Sequence, residues 1–210
     1  MHYLIETQLP GAHGLLIRHG ERDAVKPGSV GMEAQLTERG REMSRELGQS
    51  LAQVSINKII TSPIDRCFDT GMCLYEGLGL SAEEAEKKVM RDMAVAAPFV
   101  SDPELVKKTF SAGSPEQVIL NQLSGQKIPG LRSLAEGSRR LLDFMTGHMV
   151  DKSLTIFISH DAIIMPFQAH FRPRPYSASN WLDFLGGSML YVESGNTIID
   201  GHPVKKEHAP

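Results

Sequence analysis

Short apolar runs punctuate the chain, each followed by a polar, amphipathic stretch. Gly14-Leu15-Leu16-Ile17 is the first, a run suited to a strand buried on both faces. Glycine- and proline-containing loop sequence follows from Asp23 to about Glu33. Thr37 then reads as the N-cap of a helix over roughly Glu38 to Gln53, with Met43, Leu47 and Leu51 spaced four apart to form one buried face. Lys58-Ile59-Ile60-Thr61 is a second short strand. Ser62-Pro63-Ile64-Asp65 predicts a helix start, with Ser62 as cap, Pro63 at the first helical position and Asp65 favouring the helix dipole; Gly77 and Gly79 are the expected stops.

The stretch from about Ser81 to Arg132 is less regular. It holds Pro98, Pro103, Pro115 and Pro129, an extended piece near Lys88-Val89-Met90, and one clear helix start at Ser114-Pro115-Glu116-Gln117. It is expected to form a cap of short helices over one end of the sheet. Ser133-Leu134-Ala135-Glu136 resembles a capping box that opens a helix to about His148. Leu154 to Ser159 is the clearest strand, rich in β-branched residues. Ser188 to Val192 and Asn196 to Ile199, separated by Gly195, read as a closing hairpin. Alternating strands and helices imply an α/β fold, a three-layer αβα sandwich with a largely parallel central sheet. The 210 residues fit one domain, 1–210, with the cap inserted at about 81–132.

Composition narrows the function classes. With 22 Lys+Arg against 25 Asp+Glu and a net charge of −3, no basic excess points to nucleic acid. No apolar run approaches the roughly 18 residues of a membrane span, and Met1 to Pro10, which includes Glu6, lacks the cationic leader of a signal peptide. Cys67 and Cys73 lie six apart in an expected helix, which does not stack them on one face, so no disulfide is expected and a cytoplasmic, reducing location fits. His2, His13, His148, His170, His202 and His208 show no ligand spacing, so neither a metal nor another cofactor is implied. Oligomeric state is left open.

The chemistry sits where strands end. The first strand runs into Arg18-His19-Gly20-Glu21-Arg22, and a buried unpaired cation at a strand end is costly. Two guanidiniums around an imidazole make sense around an anion, most simply a phosphate. The second strand leads into Ser62 and Arg66, and the Leu154 strand ends in His160-Asp161. In open α/β sheets, ligands bind beyond the carboxyl ends of strands, so these three segments converge on one edge.

Taken in order, Arg18-His19-Gly20, Leu36-Thr37-Glu38-Arg39-Gly40, Ser62-Pro63-Ile64-Asp65-Arg66 and Ser159-His160 resemble the motifs of the histidine phosphatase (phosphoglycerate mutase-like) superfamily over residues 14 to about 165. The resemblance implies that His19 is a nucleophile that accepts a phosphoryl group. Arg18 and Arg66 would then bind phosphoryl oxygens, and His160 would add a donor. It also leaves two positions for the proton donor. The mutase-like pattern puts a Glu midway between the histidines, where this chain has Asp92 followed by apolar residues. The acid-phosphatase branch uses an Asp after the second histidine, matched by Asp161, and an Arg matched by Arg22. Asp161 is favoured, Asp92 stays open, and Arg22, Ser62 and Glu21 are counted as substrate-binding positions. The chain has neither the large insert nor the cysteines of the big acid phosphatases, so its site would be more open, or lidded only by the cap and the turn near Trp181. Lys107, Lys108, Lys127 and Arg132 are further positions that could meet a second anionic group. The expected function is hydrolysis of a phosphorylated metabolite or protein through a phosphohistidine. A mutase-type phosphotransferase and a non-catalytic phosphate-binding module are the alternatives.

Overall fold

The computed structural model describes residues 9–25, 31–172 and 175–204. The leader reading for Met1 to Pro10 rests mainly on residues outside that range, as do His2, His208 and part of the loop before Glu33. Seven strands form one sheet: β1 (Ala12–Arg18), β2 (Ile56–Thr61), β3 (Val89–Arg91), β4 (Ser153–Ser159), β5 (Gly187–Glu193), β6 (Asn196–Ile199) and β7 (His202–Pro203). Their spatial order is β3-β2-β4-β1-β5-β6-β7. The first four are mutually parallel, while β5, β6 and β7 run antiparallel as a closing meander. The helices are α1 (Glu38–Ser50), α2 (Asp65–Gly77), α3 (Ala82–Lys88), α4 (Pro103–Ser111), α5 (Pro115–Leu123), α6 (Leu134–His148) and α7 (Asp161–Phe171), with a 3-10 turn at Met93–Val95.

Leu15-Leu16-Ile17, Ile59-Ile60 and Ile156-Phe157-Ile158 are continuous apolar runs because both faces of the central strands are covered. Alternate residues serve opposite cores. Leu16, Ile60 and Phe157 pack with Leu141, Met145, Ile164 and Phe167 of α6 and α7. Leu15, Ile17, Ile59, Ile156 and Ile158 pack with Leu51, Leu74, Tyr75 and Ala85 on the side of α1, α2 and α3. Two cores on either side of one sheet are the three-layer sandwich the strand pattern predicted.

Helix α1 differs from expectation in which face it buries. Leu51, just past the helix end, is buried as expected, but Met43 and Leu47 are only half-buried, whereas Gly40, Ser44 and Gly48 are buried. Small residues let the helix backbone come close to its neighbours. A Cβ on Gly48 would stand 2.1 Å from the Leu74 carbonyl oxygen of α2, and one on Gly40 would stand 2.0 Å from the Glu21 carbonyl oxygen. The second approach presses the start of α1 against the loop that follows β1.

Several local expectations also shift. Ser62 does not cap α2: the helix begins at Asp65 with Ile64 at the N-cap position and no side-chain cap bond, and Ser62 Oγ lies two residues upstream, accepting from the Ile64 N–H at 3.4 Å and from His160 Nε2 at 2.9 Å. Ser133 caps the Glu136 N–H, but the Glu136 carboxylate turns to Arg132 at 3.0 Å rather than closing the box. The complete capping box is Ser81 with Glu84, at the start of α3. Helix α1 stops at Ser50, three residues early, and α2 does end at Gly77, with Gly79 in the left-handed region at φ +86°. The hairpin turn between β5 and β6 is Ser194-Gly195, both at positive φ as a two-residue hairpin loop requires. Helix α3 packs on α2 and β3 pairs with β2, so residues 82–91 belong to the sandwich layers; α4 and α5 follow beyond them.

Candidate active site

Register places the polar segments side by side. Arg18 pairs with Ser159 across β1 and β4, and Thr61 pairs with Ile158 across β2 and β4. The residues that follow, His19, Ser62 and His160, therefore leave the sheet on three adjacent strands. Main-chain bonds continue past the strand ends, from His19 N–H to Ser159 O at 3.0 Å and from Ser62 N–H to Ile158 O at 2.9 Å. This fixes their Cα positions before any side chain contributes.

His19 is buried, and its two ring nitrogens have distinct partners. Nδ1 lies 2.8 Å from the Gly20 carbonyl oxygen, which can only accept, so Nδ1 carries the hydrogen. Nε2 keeps its lone pair and accepts from Arg66 Nε at 3.1 Å. Burial, the neighbouring His160 and the Arg66 charge hold the His19 pKa well below the ordinary imidazole value. The side chain is a neutral imidazole with one nucleophilic nitrogen in a fixed orientation.

His160 adopts the opposite tautomer. Arg66 Nη2 donates to its Nδ1 at 3.2 Å, so Nε2 carries the hydrogen and donates to Ser62 Oγ at 2.9 Å. Burial and then the Arg66 charge push its pKa down to about 3. The two imidazole rings stand edge to face with centroids 5.4 Å apart.

Arg66 ties the pair together. It donates to His19 and His160, and its Nη1 donates to the Gly31 carbonyl oxygen at 2.7 Å. Arg66 is only 7% exposed, yet its hydrogen-bond acceptors among the described residues are all neutral. Asp161 acts on it only through space, and a desolvated cation without an anionic hydrogen-bond partner is a standing cost that a bound anion would relieve.

Arg18 does have a counter-ion. Its Nη2 lies 2.7 Å from Asp161 Oδ2, its Nη1 donates to the Leu182 carbonyl oxygen, and its guanidinium stacks 4.2 Å from the Phe184 ring centroid. Asp161 Oδ2 also accepts from Trp181 Nε1 at 2.9 Å, and Oδ1 accepts from the Ala162 N–H at 2.8 Å. Burial by itself pushes the Asp161 pKa up. The Arg18 charge, the Trp181 indole N–H, His19 and the Ala162 N–H outweigh it, and the carboxyl lies below its usual range.

His19, His160, Arg66 and Ser62 thus form one connected set of contacts, and the Phe184 ring, whose centroid lies 5.9 Å from that of His19 and 4.2 Å from the Arg18 guanidinium, joins it to the Arg18–Asp161 pair. Three other predicted positions fare differently. Arg22 is partly exposed and bonds the Asp23 carbonyl at 2.7 Å, although its charge lowers the pKa of Arg18, Arg66 and His160 and so lies within their field. Glu21 points away: its carboxylate accepts from Thr37 Oγ1 at 2.9 Å and meets Arg39 at 3.7 Å, anchoring the start of α1. Asp92 follows β3, with its backbone N–H on Thr61 O and its carboxylate capping the 3-10 turn through the Ala94 N–H at 2.8 Å.

Of the more remote cations, Arg132 is consumed by Glu136 and by the carbonyls of Pro98 and Val100. Lys107 and Lys108 line an open depression of about 580 Å³ on α4 with Asp102, Glu104, Leu105 and Ser111, none of them a member of the His19 cluster. Lys127 is exposed. Among the described residues, no group of three or more His, Cys, Asp or Glu could hold a metal ion, and no helix is long and apolar enough to cross a membrane.

Sequence reasoning missed Phe184 and the Gly31 and Leu182 carbonyls, and it gave Trp181 only a place in a lid. No motif marks these positions; carbonyls carry no side-chain signal at all.

The family model of the histidine phosphatase superfamily (branch 1) matches residues 15–193. The chain belongs to that superfamily. Solved structures share its fold. The mycobacterial glucosyl-3-phosphoglycerate phosphatase complexed with VO3 is 19% identical, with 90% of this chain and 97% of that chain covered and a TM-score of 0.56. Phosphoserine phosphatase from Entamoeba histolytica, in complex with phosphoserine, is 18% identical over 94% of this chain and 99% of that one, with a TM-score of 0.57. YhfR from Bacillus stearothermophilus is 16% identical over 90% and 96%, with a TM-score of 0.53. At such identities they establish the architecture and no more. No curated protein matches the sequence.

Proposed function

We propose that the protein is a phosphatase that hydrolyses phosphomonoesters through a phosphohistidine on His19, with no metal or other cofactor. The observation that carries this reading is the coupling of a neutral His19, with its hydrogen on Nδ1 and its lone pair on Nε2, to the buried Arg66 whose acceptors are all neutral. Binding alone would need the cation but not the nucleophile. Family membership supports phosphoryl chemistry, and two of the similar folds are named as phosphatases.

In the first half-reaction, the phosphoryl group is held by Arg18, Arg66 and His160 Nε2–H, which exchanges its bond to Ser62 Oγ for one to a phosphoryl oxygen. His19 Nε2 forms the new P–N bond as the P–O bond to the leaving group breaks. Asp161 gives its proton to the departing oxygen. In the second, Asp161 accepts a proton from water as that water attacks phosphorus, the P–N bond breaks and phosphate leaves. The three donors act most strongly on charge that spreads over the equatorial oxygens in the transition state. Uncatalysed phosphomonoester hydrolysis demands accelerations of up to about 10²¹, beyond any single group, so a preorganised cationic pocket and a covalent relay share the load.

Asp161 is preferred to Asp92 as donor because it touches Arg18 directly, whereas the Asp92 carboxylate is used as a turn cap. Ser62 orients His160, and Arg22 adds long-range positive charge. Both cysteines are free and buried, which supports a reducing, cytoplasmic setting.

The test is hydrolysis of p-nitrophenyl phosphate by His19→Ala. Activity should fall to background, with phosphate released stoichiometrically by the unaltered protein. Full activity in the variant would remove His19 as nucleophile. Transfer of the phosphoryl group to a second hydroxyl in place of water would make the protein a mutase instead.

A further inference from the structure

The Arg18–Asp161 contact raises a problem for a proton donor. Every contact to the Asp161 carboxyl favours its charged form: Arg18 Nη2 and Trp181 Nε1 on Oδ2, and the Ala162 N–H on Oδ1. A carboxylate held this way has no proton to give. The solution lies in how Arg18 is used. The Nε–H and Nη2 of a guanidinium form one edge that two oxygens of a tetrahedral anion can take together. Asp161 occupies only the Nη2 half of that edge, and the Nε of Arg18 is buried without a hydrogen-bond partner. An unpaired buried donor beside a half-used fork is a site that a two-oxygen ligand fills better than one carboxylate oxygen does.

We propose that the substrate's phosphoryl group loads its own proton donor: by taking the Nε/Nη2 edge of Arg18 it breaks the Arg18–Asp161 pair, and Asp161, now beside an anion, takes up a proton from water while Trp181 holds it in place. This rests on the phosphatase reading above. The step balances as one solvent proton added to one carboxylate oxygen, Oδ2, which loses the Arg18 N–H and keeps the Trp181 N–H. The titratable and charged groups around Asp161 are Arg18 and His19 from the end of β1, Arg22 in the loop after it, Arg66 and Cys67 from α2, His160 at the start of α7, and Asp183 beside Arg18. Cys67 is pushed up to about 12 by burial and stays a thiol, and His160 titrates near 3, so neither takes a proton first near neutral pH. Protonation only after phosphoryl binding keeps Asp161 and Arg18 mutually neutralised until the substrate arrives. Trp181 is a positioning residue in this scheme, touching Asp161 rather than the reacting atoms.

Tungstate tests this directly, because it is a tetrahedral dianion that carries no proton of its own near pH 6.5. Binding to the full chain is measured by calorimetry in buffers of different ionisation enthalpy. The expected result is uptake of about one proton per tungstate, with affinity falling about tenfold per pH unit as one-proton linkage requires. Asp161→Asn, nearly isosteric, should bind tungstate with no proton uptake and a flat pH dependence. Binding by the unaltered protein without uptake overturns the inference, as does undiminished uptake in Asp161→Asn. Failure to bind tungstate at all overturns the phosphatase reading itself. Trp181→Phe supplies a second readout: its rate of phosphoenzyme formation, read from the burst of leaving group, should fall about tenfold for an alkyl phosphate and hardly change for p-nitrophenyl phosphate, whose leaving group needs no proton. Equal losses on both substrates would reduce Trp181 to a packing role and remove it from the scheme.

Discussion

The neutrality of His160 has a consequence for the whole fold that can be put in numbers. In the folded protein its pKa is pushed down to about 3, against the ordinary imidazole value of 6.5, because it is buried and faces Arg66. Above pH 6.5 the ring is neutral in both folded and unfolded chains and contributes nothing to the pH dependence. As pH falls below 6.5 the unfolded chain binds a proton and the folded one does not, so stability is lost progressively until about pH 3. Each unit of difference is worth about 1.36 kcal/mol. Between pH 7 and pH 5 the unfolded-state protonation amounts to about 1.4 units, or about 2 kcal/mol for this one residue. Urea unfolding at both pH values measures it, with His160→Asn as the reference, since Asn can still accept from Arg66 but cannot titrate. Wild type should lose about 2 kcal/mol more than the variant over that interval. Parallel losses would mean that His160 is not held neutral and would undo the tautomer assignment on which the donor role of its Nε2–H depends.

Two further outcomes follow from particular contacts. Gly40→Ala puts a Cβ about where the Glu21 carbonyl oxygen stands, 2.0 Å away. The resulting shift should cost about 1–3 kcal/mol of stability and lower kcat through displacement of the His19 loop, as thermal unfolding and steady-state kinetics would show. Asp161→Asn should slow phosphoenzyme formation from an alkyl phosphate by about 10²–10⁴-fold while sparing that same step with p-nitrophenyl phosphate, as the burst of leaving group would show; equal loss on both would point to Asp161 as a holder of Arg18 only.

Much of this architecture could be read from the chain because parallel strands buried on both faces write themselves as apolar runs, and their carboxyl ends write themselves as abrupt polar residues. Leu15 to Arg18 and Leu154 to His160 are of this kind, and the register between β1 and β4 then had to bring His19 and His160 together. Helix α1 was legible as a helix but not in its orientation: four-residue spacing singled out Met43 and Leu47, while close packing selected Gly40, Ser44 and Gly48. Glycine stripes carry no hydrophobic signal. Ser62 had the sequence of a helix cap, yet adjacency to β4 gives its hydroxyl to His160. Glu21 sits two positions from His19, and its side chain nevertheless serves Thr37 and Arg39. Trp181, Phe184 and Leu182 reach the site from a loop more than 160 positions away from Arg18, a closure that only the return of β5 beside β1 creates.

The central claim is a covalent intermediate on one named atom. Rapid acid-free quenching during turnover of a phosphomonoester, followed by ³¹P and ¹H NMR of the phosphorylated peptide, identifies both the residue and the ring nitrogen. Because Nδ1 of His19 is committed to the Gly20 carbonyl, the account predicts an acid-labile, base-stable phosphoramidate on Nε2 of His19. Phosphate on Nδ1, on His160, or on no residue while turnover proceeds would contradict it.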